Sequence, residues 1–186
     1  MELYGKTDYK KGEMNMKNSN IILIGMPTSG KSTMGVILAK ILGYNFVDAD
    51  LVIQKREGKI LSEIIEEEGI EKFIDIENRI NSEINEEKSV IATGGSVVYG
   101  REAMEHYKNI GTVIYLKLDM EELMNRLHDA KQRGVVMREG QTLLSLYNER
   151  TVLYEKYADI TIDEKNHNLE EVVELTLKAL EEKMHD

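Results

Sequence analysis

Few folds are open to a chain that contains the eight-residue stretch Gly25-Met26-Pro27-Thr28-Ser29-Gly30-Lys31-Ser32. The stretch follows an unbroken apolar run at 21–24 and precedes a helical pattern over 34–42. Strand, glycine-bounded loop and helix form the context that the phosphate-binding motif G-x-x-x-x-G-K-[ST] requires. Backbone N–H groups of such a loop, together with the positive end of the helix, make a concave anion site. The alternative is a chance match in a turn, but the flanking segments also fit phosphate binding.

The motif predicts a role for each of its polar residues. Lys31 is expected to reach the outer phosphates of a nucleoside triphosphate, and Ser32 to place its hydroxyl on Mg²⁺. The other predicted nucleotide contacts of the loop are Gly25, Pro27, Thr28, Ser29 and Gly30.

Composition limits the remaining possibilities. At 186 residues, 41% of them hydrophobic, the chain is long enough for one buried core and short for two. A net charge of −10 disfavours a nucleic-acid partner, and the lack of cysteine excludes disulfides and thiolate metal sites. There is no membrane-length apolar run and no signal peptide. We expect a disordered leader at 1–18, a single domain at 19–186, and a monomer in the cytoplasm without membrane contact.

The alternation of strands and helices predicts an α/β fold with a parallel sheet. Strands are predicted at 20–24, 45–47, 89–92, 111–116 and 159–163. Ligands of such sheets bind outside the carboxyl ends of the strands. Three strands end in polar or glycine-rich residues: the phosphate loop, Asp48-Ala49-Asp50 and Thr93-Gly94-Gly95. The fourth and fifth strands end without a comparable pattern.

Two aspartates follow the second predicted strand. One carboxylate, Asp48, can hold Mg²⁺ through water, while the other, Asp50, can point at the hydroxyl of an acceptor. The alternative is that Asp50 is only the N-cap of a helix that starts at Leu51. Gly94 and Gly95 indicate either close approach of the backbone to a ligand or a tight turn.

Two charged residues lie within helical patterns. Glu77 falls on the apolar stripe that Phe73, Ile80 and Ile84 form in a helix predicted over 71–86, so it is either buried with a partner or at the edge of the stripe. Arg150 has no acidic neighbour at helical spacing, and the alternative to a site role is a stem that covers apolar side chains.

The segment 128–140 interrupts the apolar periodicity and carries Lys131, Arg133 and Arg138. A mobile basic loop can close over a triphosphate, exclude water and stabilise charge on the transferring phosphoryl group. A solvated surface loop fits the same pattern.

From Asn20 onward the chain resembles shikimate kinase. The matching segments are Gly25 to Thr33, Phe46-Val47-Asp48-Ala49-Asp50, the Gly69…Phe73…Glu77 spacing, Ile91-Ala92-Thr93-Gly94-Gly95, Glu149-Arg150 and Leu153-Tyr154 followed by Ala158-Asp159. The resemblance implies a single three-layer domain with a five-stranded parallel sheet, a phosphate loop and a lid. It implies phosphorylation of shikimate by ATP to shikimate 3-phosphate, a step of aromatic amino-acid biosynthesis.

The resemblance also implies roles by position. Lys31, Ser32 and Thr33 serve ATP and Mg²⁺, and Asp48 lies on the metal side. Asp50 orients or deprotonates the attacking hydroxyl, Gly95 offers its backbone to the acceptor, Arg133 is the lid arginine and Arg150 binds the acceptor carboxylate.

The chain departs from the family pattern mainly on the acceptor side. Ile74 stands where the family has an arginine that joins the second arginine on the substrate carboxylate, and Ser96 replaces a third glycine. Glu77 therefore lacks a local arginine and is predicted either to take another cation or to contact an acceptor hydroxyl. A kinase of the same fold that acts on another small polyol or hydroxy acid is the alternative, and a nucleotide-binding module without transfer activity is a third reading.

Overall fold

The computed structural model describes residues 20–129 and 135–185. The predicted leader and the predicted lid residues Lys131 and Arg133 lie outside these ranges. Five strands form one parallel sheet in the order β2-β3-β1-β4-β5. They are β1 (Asn20–Ile24), β2 (Asn45–Asp48), β3 (Ser89–Ala92), β4 (Gly111–Lys117) and β5 (Ile160–Asp163).

Helices connect the strands and continue the chain after the last one. They are α1 (Lys31–Leu42), α2 (Ala49–Glu57), α3 (Leu61–Glu68), α4 (Ile70–Ser82), α5 (Arg101–Ile110), α6 (Met120–Asp129), α7 (Leu143–Tyr157) and α8 (Leu169–His185). A short 3₁₀ turn, Val97–Tyr99, precedes α5. None of the described helices combines the length and apolarity needed to cross a membrane.

The central strand shows how the three layers arise. Successive side chains of β1 point to opposite faces of the sheet. Ile22 and Ile24 belong to a core shared with α5 and α7, whereas Ile21 and Leu23 belong to a second core shared with α1 and α8. The predicted α/β fold with a five-stranded parallel sheet between two helical layers is confirmed.

The end of α4 differs from the prediction. The helix predicted to reach Glu86 ends at Ser82. Side chains there bond to helix carbonyls, since the Asn81 amide donates to the Glu77 carbonyl at 2.7 Å and the Ser82 hydroxyl donates to the Arg79 carbonyl at 2.8 Å. The Arg79 carbonyl is one that a further helical turn would use, and the Ser82 hydroxyl satisfies it instead.

The strand order brings the predicted site segments together. Because β2, β3 and β1 are neighbours and parallel, the segments that follow them meet at one edge of the sheet. These segments are the start of α2, the Thr93–Ser96 turn and the phosphate loop.

Candidate active site

The phosphate loop depends on glycine at two positions. Gly25 has φ 148° and lies so close to β4 that a Cβ there would be 2.6 Å from the Leu116 carbonyl oxygen. Gly30 has φ 82° and immediately precedes α1. No side chain caps this helix, so the N–H groups of its first turn are available to an anion.

The Lys31 side chain turns back over the loop. Its ammonium donates to the carbonyl oxygens of Gly25 at 2.9 Å and Met26 at 2.8 Å. Burial lowers the pKa of Lys31 to about 8, although the carboxylates of Asp50, Glu164 and Asp48 act in the opposite direction. A lysine held this way is a desolvated donor at the loop, which suits contact with phosphate oxygens.

Asp48 links the loop to α2. Its Oδ1 accepts the N–H groups of Asp50 at 3.0 Å and Leu51 at 3.3 Å, while Oδ2 accepts the Ser32 hydroxyl at 3.3 Å. Asp48 is therefore the N-cap of α2, and the alternative interpretation of Asp50 as that cap is wrong. The cap belongs to Asp48 because β2 continues to this residue, which pairs with Ala92.

The same pair of side chains fits a magnesium ion. Within residues 20–129 and 135–185, no group of three or more acidic or histidine side chains could hold a metal ion by itself. Mg²⁺ does not need such a group, because it keeps several waters and is bound by one or two carboxylates together with substrate phosphates. The Ser32 hydroxyl and Asp48 Oδ2, side by side at the loop, match this requirement.

Two glycines form the floor of the predicted acceptor site. A Cβ on Gly94 would clash with Oε1 of Glu77 and would lie 2.9 Å from Oδ1 of Asp50. A Cβ on Gly95 would lie 2.9 Å from Cδ of Pro27 and 3.2 Å from Nη1 of Arg150. The turn thus brings two carboxylates, one guanidinium and the phosphate loop around the same backbone.

Glu77 is 1% exposed on α4, and neither of its carboxylate oxygens has a hydrogen-bond partner among the described residues. Burial raises the pKa of Glu77 to about 7. The Ser96 hydroxyl, Arg150 and Lys31 act in the opposite direction, whereas Asp50 raises the pKa further. Of the two interpretations of Glu77, the structure supports burial, but without the partner that the sequence led us to expect. No described lysine or arginine forms an ion pair with Glu77 in place of the missing arginine, so its predicted contact with an acceptor hydroxyl stays a prediction.

Asp50 lies at the start of α2 beside this carboxylate. Burial raises its pKa, and the nearby Asp48 charge adds to the effect, while Lys31 lowers it. Because the carboxyl groups of Asp50 and Glu77 lie this close, a state in which one of the two is neutral is favoured.

Arg150 is 1% exposed inside α7, so its side chain does not reach water. Nη2 donates to the Val136 carbonyl at 2.7 Å, and Nε lies 3.4 Å from the Tyr99 hydroxyl. No described carboxylate forms an ion pair with this arginine. It is a buried cation that faces the acceptor glycines, not a stem that covers apolar side chains.

Two features of the site carry no sequence motif. At the end of β5, Glu164 is 7% exposed and accepts Nη1 of Arg126 at 2.9 Å, and the same nitrogen donates to the Thr28 carbonyl at 3.3 Å. Thr28 itself has φ 67°, a conformation that is unfavourable for a β-branched residue. Thr28 lies inside the predicted phosphate loop, but no sequence pattern indicates its positive φ, and none singles out Arg126 or Glu164.

Both residues of this ion pair line a cavity of about 340 Å³, which Arg126 connects to the phosphate loop through its bond to the Thr28 carbonyl. Its lining includes Leu118, Asn125, Arg126, Glu164, Asn166 and His167.

Comparisons with known proteins agree with the predicted resemblance. The family model described as shikimate kinase matches residues 27–181. The shikimate kinase of Thermodesulfovibrio yellowstonii is 38% identical over 165 residues, which cover 87% of this chain and 95% of that protein. A solved structure of shikimate kinase from Acinetobacter baumannii in complex with shikimate is 30% identical with a TM-score of 0.80, and the alignment covers 89% of this chain and 94% of that one. The structure of Aquifex aeolicus shikimate kinase is 35% identical with a TM-score of 0.74, covering 87% and 96% of the two chains.

Proposed function

This chain belongs to the shikimate kinase family, and from that premise we propose that it phosphorylates shikimate with ATP, releasing ADP and shikimate 3-phosphate. The observation that supports this proposal most is the convergence of Asp50, Glu77 and Arg150 around Gly94 and Gly95, directly beside the phosphate loop. A small acceptor with a hydroxyl and a carboxylate matches the charges of this arrangement.

The nucleotide is expected on the side of the phosphate loop that faces away from Gly94 and Gly95. The N–H groups of the first turn of α1 and the Lys31 ammonium would hold its phosphates. The cavity beside Arg126 and Glu164 has the volume and position to take the nucleoside. Arg133 remains the predicted lid arginine.

Ser32 and Asp48 would hold Mg²⁺, which, when bound, neutralises charge on the phosphates and orients them. Asp50 would accept a hydrogen bond from the acceptor hydroxyl and take its proton. The acceptor oxygen then forms a bond to the γ-phosphorus as the bond to the bridging oxygen of ADP breaks. Lys31 would stabilise the charge on the transferring group.

A second candidate is a kinase of the same fold for another small polyol or hydroxy acid. Ile74 and the unpartnered Glu77 favour it, because a single buried arginine, Arg150, remains on the acceptor side among the described residues. The expected monomeric state, cytoplasmic location and absence of membrane and nucleic-acid partners remain predictions.

One assay separates these candidates. ADP release is measured with Mg-ATP against shikimate and against a panel of related polyols and hydroxy acids. Saturable turnover on shikimate, on the order of 1–10³ s⁻¹, supports the first candidate. Turnover confined to another acceptor supports the second, and bound ATP without turnover on any acceptor would refute both.

A variant tests the carboxylate contact. Replacing Arg150 with alanine removes a charge-assisted hydrogen bond, so the KM of an acidic acceptor should rise roughly 10- to 150-fold. The matched control is Arg101→Ala, which breaks an exposed ion pair with Glu105 on α5. If the two variants have the same KM for the acceptor, the assignment of Arg150 is wrong.

A further inference from the structure

A single aromatic ring contacts two arginines at the acceptor side. Tyr99 ends the 3₁₀ turn that follows the acceptor glycines. The guanidinium carbon of Arg150 lies 5.3 Å from the centroid of its ring, and that of Arg138 also lies 5.3 Å from it. Both distances fall within the range of cation–π attraction. We call this group the Arg138–Tyr99–Arg150 stack.

Among the described residues, the groups in contact with the Arg150 guanidinium are neutral. The Val136 carbonyl accepts a hydrogen bond from Nη2, and the Tyr99 hydroxyl lies near Nε. The guanidinium carbon lies over the Tyr99 ring. Nη1 has no hydrogen bond to a described residue and lies beside Gly95. Because no described carboxylate forms an ion pair with this arginine, its Nη1 remains available to an anion, and the contacts that orient it among the described residues come from Val136 and Tyr99.

Arg138 in turn fixes both of these neighbours. Its Nε donates to Glu71 of α4 at 2.7 Å, and its Nη1 donates to Glu149 of α7 at 3.2 Å. Its own N–H donates to the Gln141 amide oxygen at 3.1 Å. One side chain therefore ties the segment that supplies the Val136 carbonyl to the two helices that border the acceptor site.

Val136 also has a packing partner on the acceptor side. It packs against the small core formed by Ile53, Ile64, Phe73 and Ile80, which joins α2, α3 and α4. The position of its carbonyl is thus set by Arg138 from one direction and by this core from the other.

We propose that Arg138 and Tyr99 are positioning residues, which hold the Arg150 guanidinium so that Nη1 meets the carboxylate of the acceptor. The proposal rests on the proposed function, because it takes an acidic acceptor as given. Arg138 would thus affect acceptor binding although it is exposed and contacts neither substrate.

The kinetic test compares variants of the full-length protein. Arg138→Ala and Tyr99→Leu should each raise the KM of shikimate roughly 3- to 30-fold, the fold-change that corresponds to one lost cation–π contact. The KM of ATP should stay at the wild-type value. Tyr99→Phe keeps the ring and loses the hydroxyl, whose contact with Arg150 is long at 3.4 Å and which also interacts with Glu149, so this variant should retain most of the acceptor affinity.

Coupling between the two residues separates positioning from general destabilisation. In the double variant of Arg138→Ala and Tyr99→Leu, the free-energy effect on the KM of shikimate should be smaller than the sum of the two single effects, because each change disrupts the same stack. The matched control is Arg56→Ala, which removes a similarly exposed ion pair with Glu83 away from the acceptor. Equal acceptor and ATP effects in Arg138→Ala, or equal effects in Arg138→Ala and Arg56→Ala, would overturn the proposal.

A spectroscopic readout does not depend on which acceptor is turned over. The Nε–H resonance of Arg150, assigned by its loss in Arg150→Lys, should shift in Arg138→Ala and Tyr99→Leu as the ring moves away, and should stay in place in Arg56→Ala. If wild-type protein does not turn over shikimate, the proposed function fails while this resonance still tests the stack. An unmoved resonance in Arg138→Ala refutes the positioning role.

Discussion

The buried Glu77 carboxyl should make the stability of this protein depend on pH in a direction that is unusual for a glutamate. Its pKa is raised to about 7 from an ordinary value of 4.5, with burial as the main cause. In the unfolded chain the group releases its proton near pH 4.5, whereas the folded protein keeps it up to about pH 7. The stabilising contribution of this proton is therefore complete below pH 4.5 and is lost as pH rises to 7.

The size of the effect follows from that interval. For each pH unit between the two pKa values, the free energy of unfolding falls by roughly 1.4 kcal/mol, so the full loss is on the order of 3 kcal/mol. Both pH 6 and pH 8 lie above the isoelectric point of about 5.0, so the protein carries a net negative charge at both. Between pH 6 and pH 8 the free energy of unfolding should fall by the equivalent of one pH unit, about 1.4 kcal/mol.

The perturbation is Glu77→Gln, which keeps the shape of the side chain but has no proton to release. Thermal unfolding of the variant and the wild type is measured at pH 6 and pH 8. The advantage of the variant should grow by about 3–6 °C between the two pH values, since 1 kcal/mol moves the Tm of a domain of this size by roughly 2–4 °C. Any misfit of the amide is present at both pH values and cancels in the comparison.

The control is Glu66→Gln, an exposed glutamate on α3. Its Tm difference from the wild type should be the same at pH 6 and pH 8. The pKa of Glu164 is also raised, but this group is the same in wild type and variant. Asp50 lies beside Glu77, so the Tm difference between the two proteins reports the titration of this coupled pair. If Glu77→Gln has the same Tm advantage at both pH values, Glu77 does not hold a proton in this range and the reasoning is refuted.

Three further changes test separate parts of the site. Thr28→Gly should stabilise the protein by about 1 kcal/mol in thermal unfolding, because glycine adopts the φ of 67° without the strain of a β-branched residue, and a lowered Tm would contradict this. Gly94→Ala should lower kcat/KM for the acceptor at least roughly tenfold while ATP binding measured by calorimetry persists, because the methyl group clashes with the Glu77 carboxylate beside Asp50; unchanged acceptor kinetics would count against this placement. Ile74→Arg, three residues before Glu77 on α4, should give that carboxylate a cation and lower the KM of an acidic acceptor roughly tenfold, and an unchanged KM would show that the arginine does not reach the site.

The phosphate loop could be predicted from the sequence because every part of it is local. The strand, the glycines at Gly25 and Gly30, and the helix that begins at Lys31 are contiguous. The same holds for the burial of Glu77, which follows from the spacing of one helix. Periodicity within an element and motifs within a loop need no knowledge of the rest of the chain.

Contacts between distant segments could not be predicted in this way. Whether Asp48 or Asp50 caps α2 depends on the register of β2 against β3. The helical neighbours of Arg150 showed that it had no local acidic partner, but its actual contacts come from Tyr99 and Val136 on other segments. Pairs of this kind arise only when the sheet order and the helix packing are known.

The central position of β1 also bears on how such an enzyme can diverge. The proposed acceptor residues come from the ends of β2 and β3, on one side of β1, together with α4 and α7, whereas the cavity proposed for the nucleoside is lined by residues that follow β4 and β5 on the other side. The phosphate loop lies between them, with Gly95 beside Pro27 and with Arg126 bonded to the Thr28 carbonyl. Substitutions such as those at Ile74 and Ser96 can therefore accumulate without disturbing the hold on the nucleotide. Over generations, a lineage with this sheet order can change what it phosphorylates while it keeps the same phosphate donor.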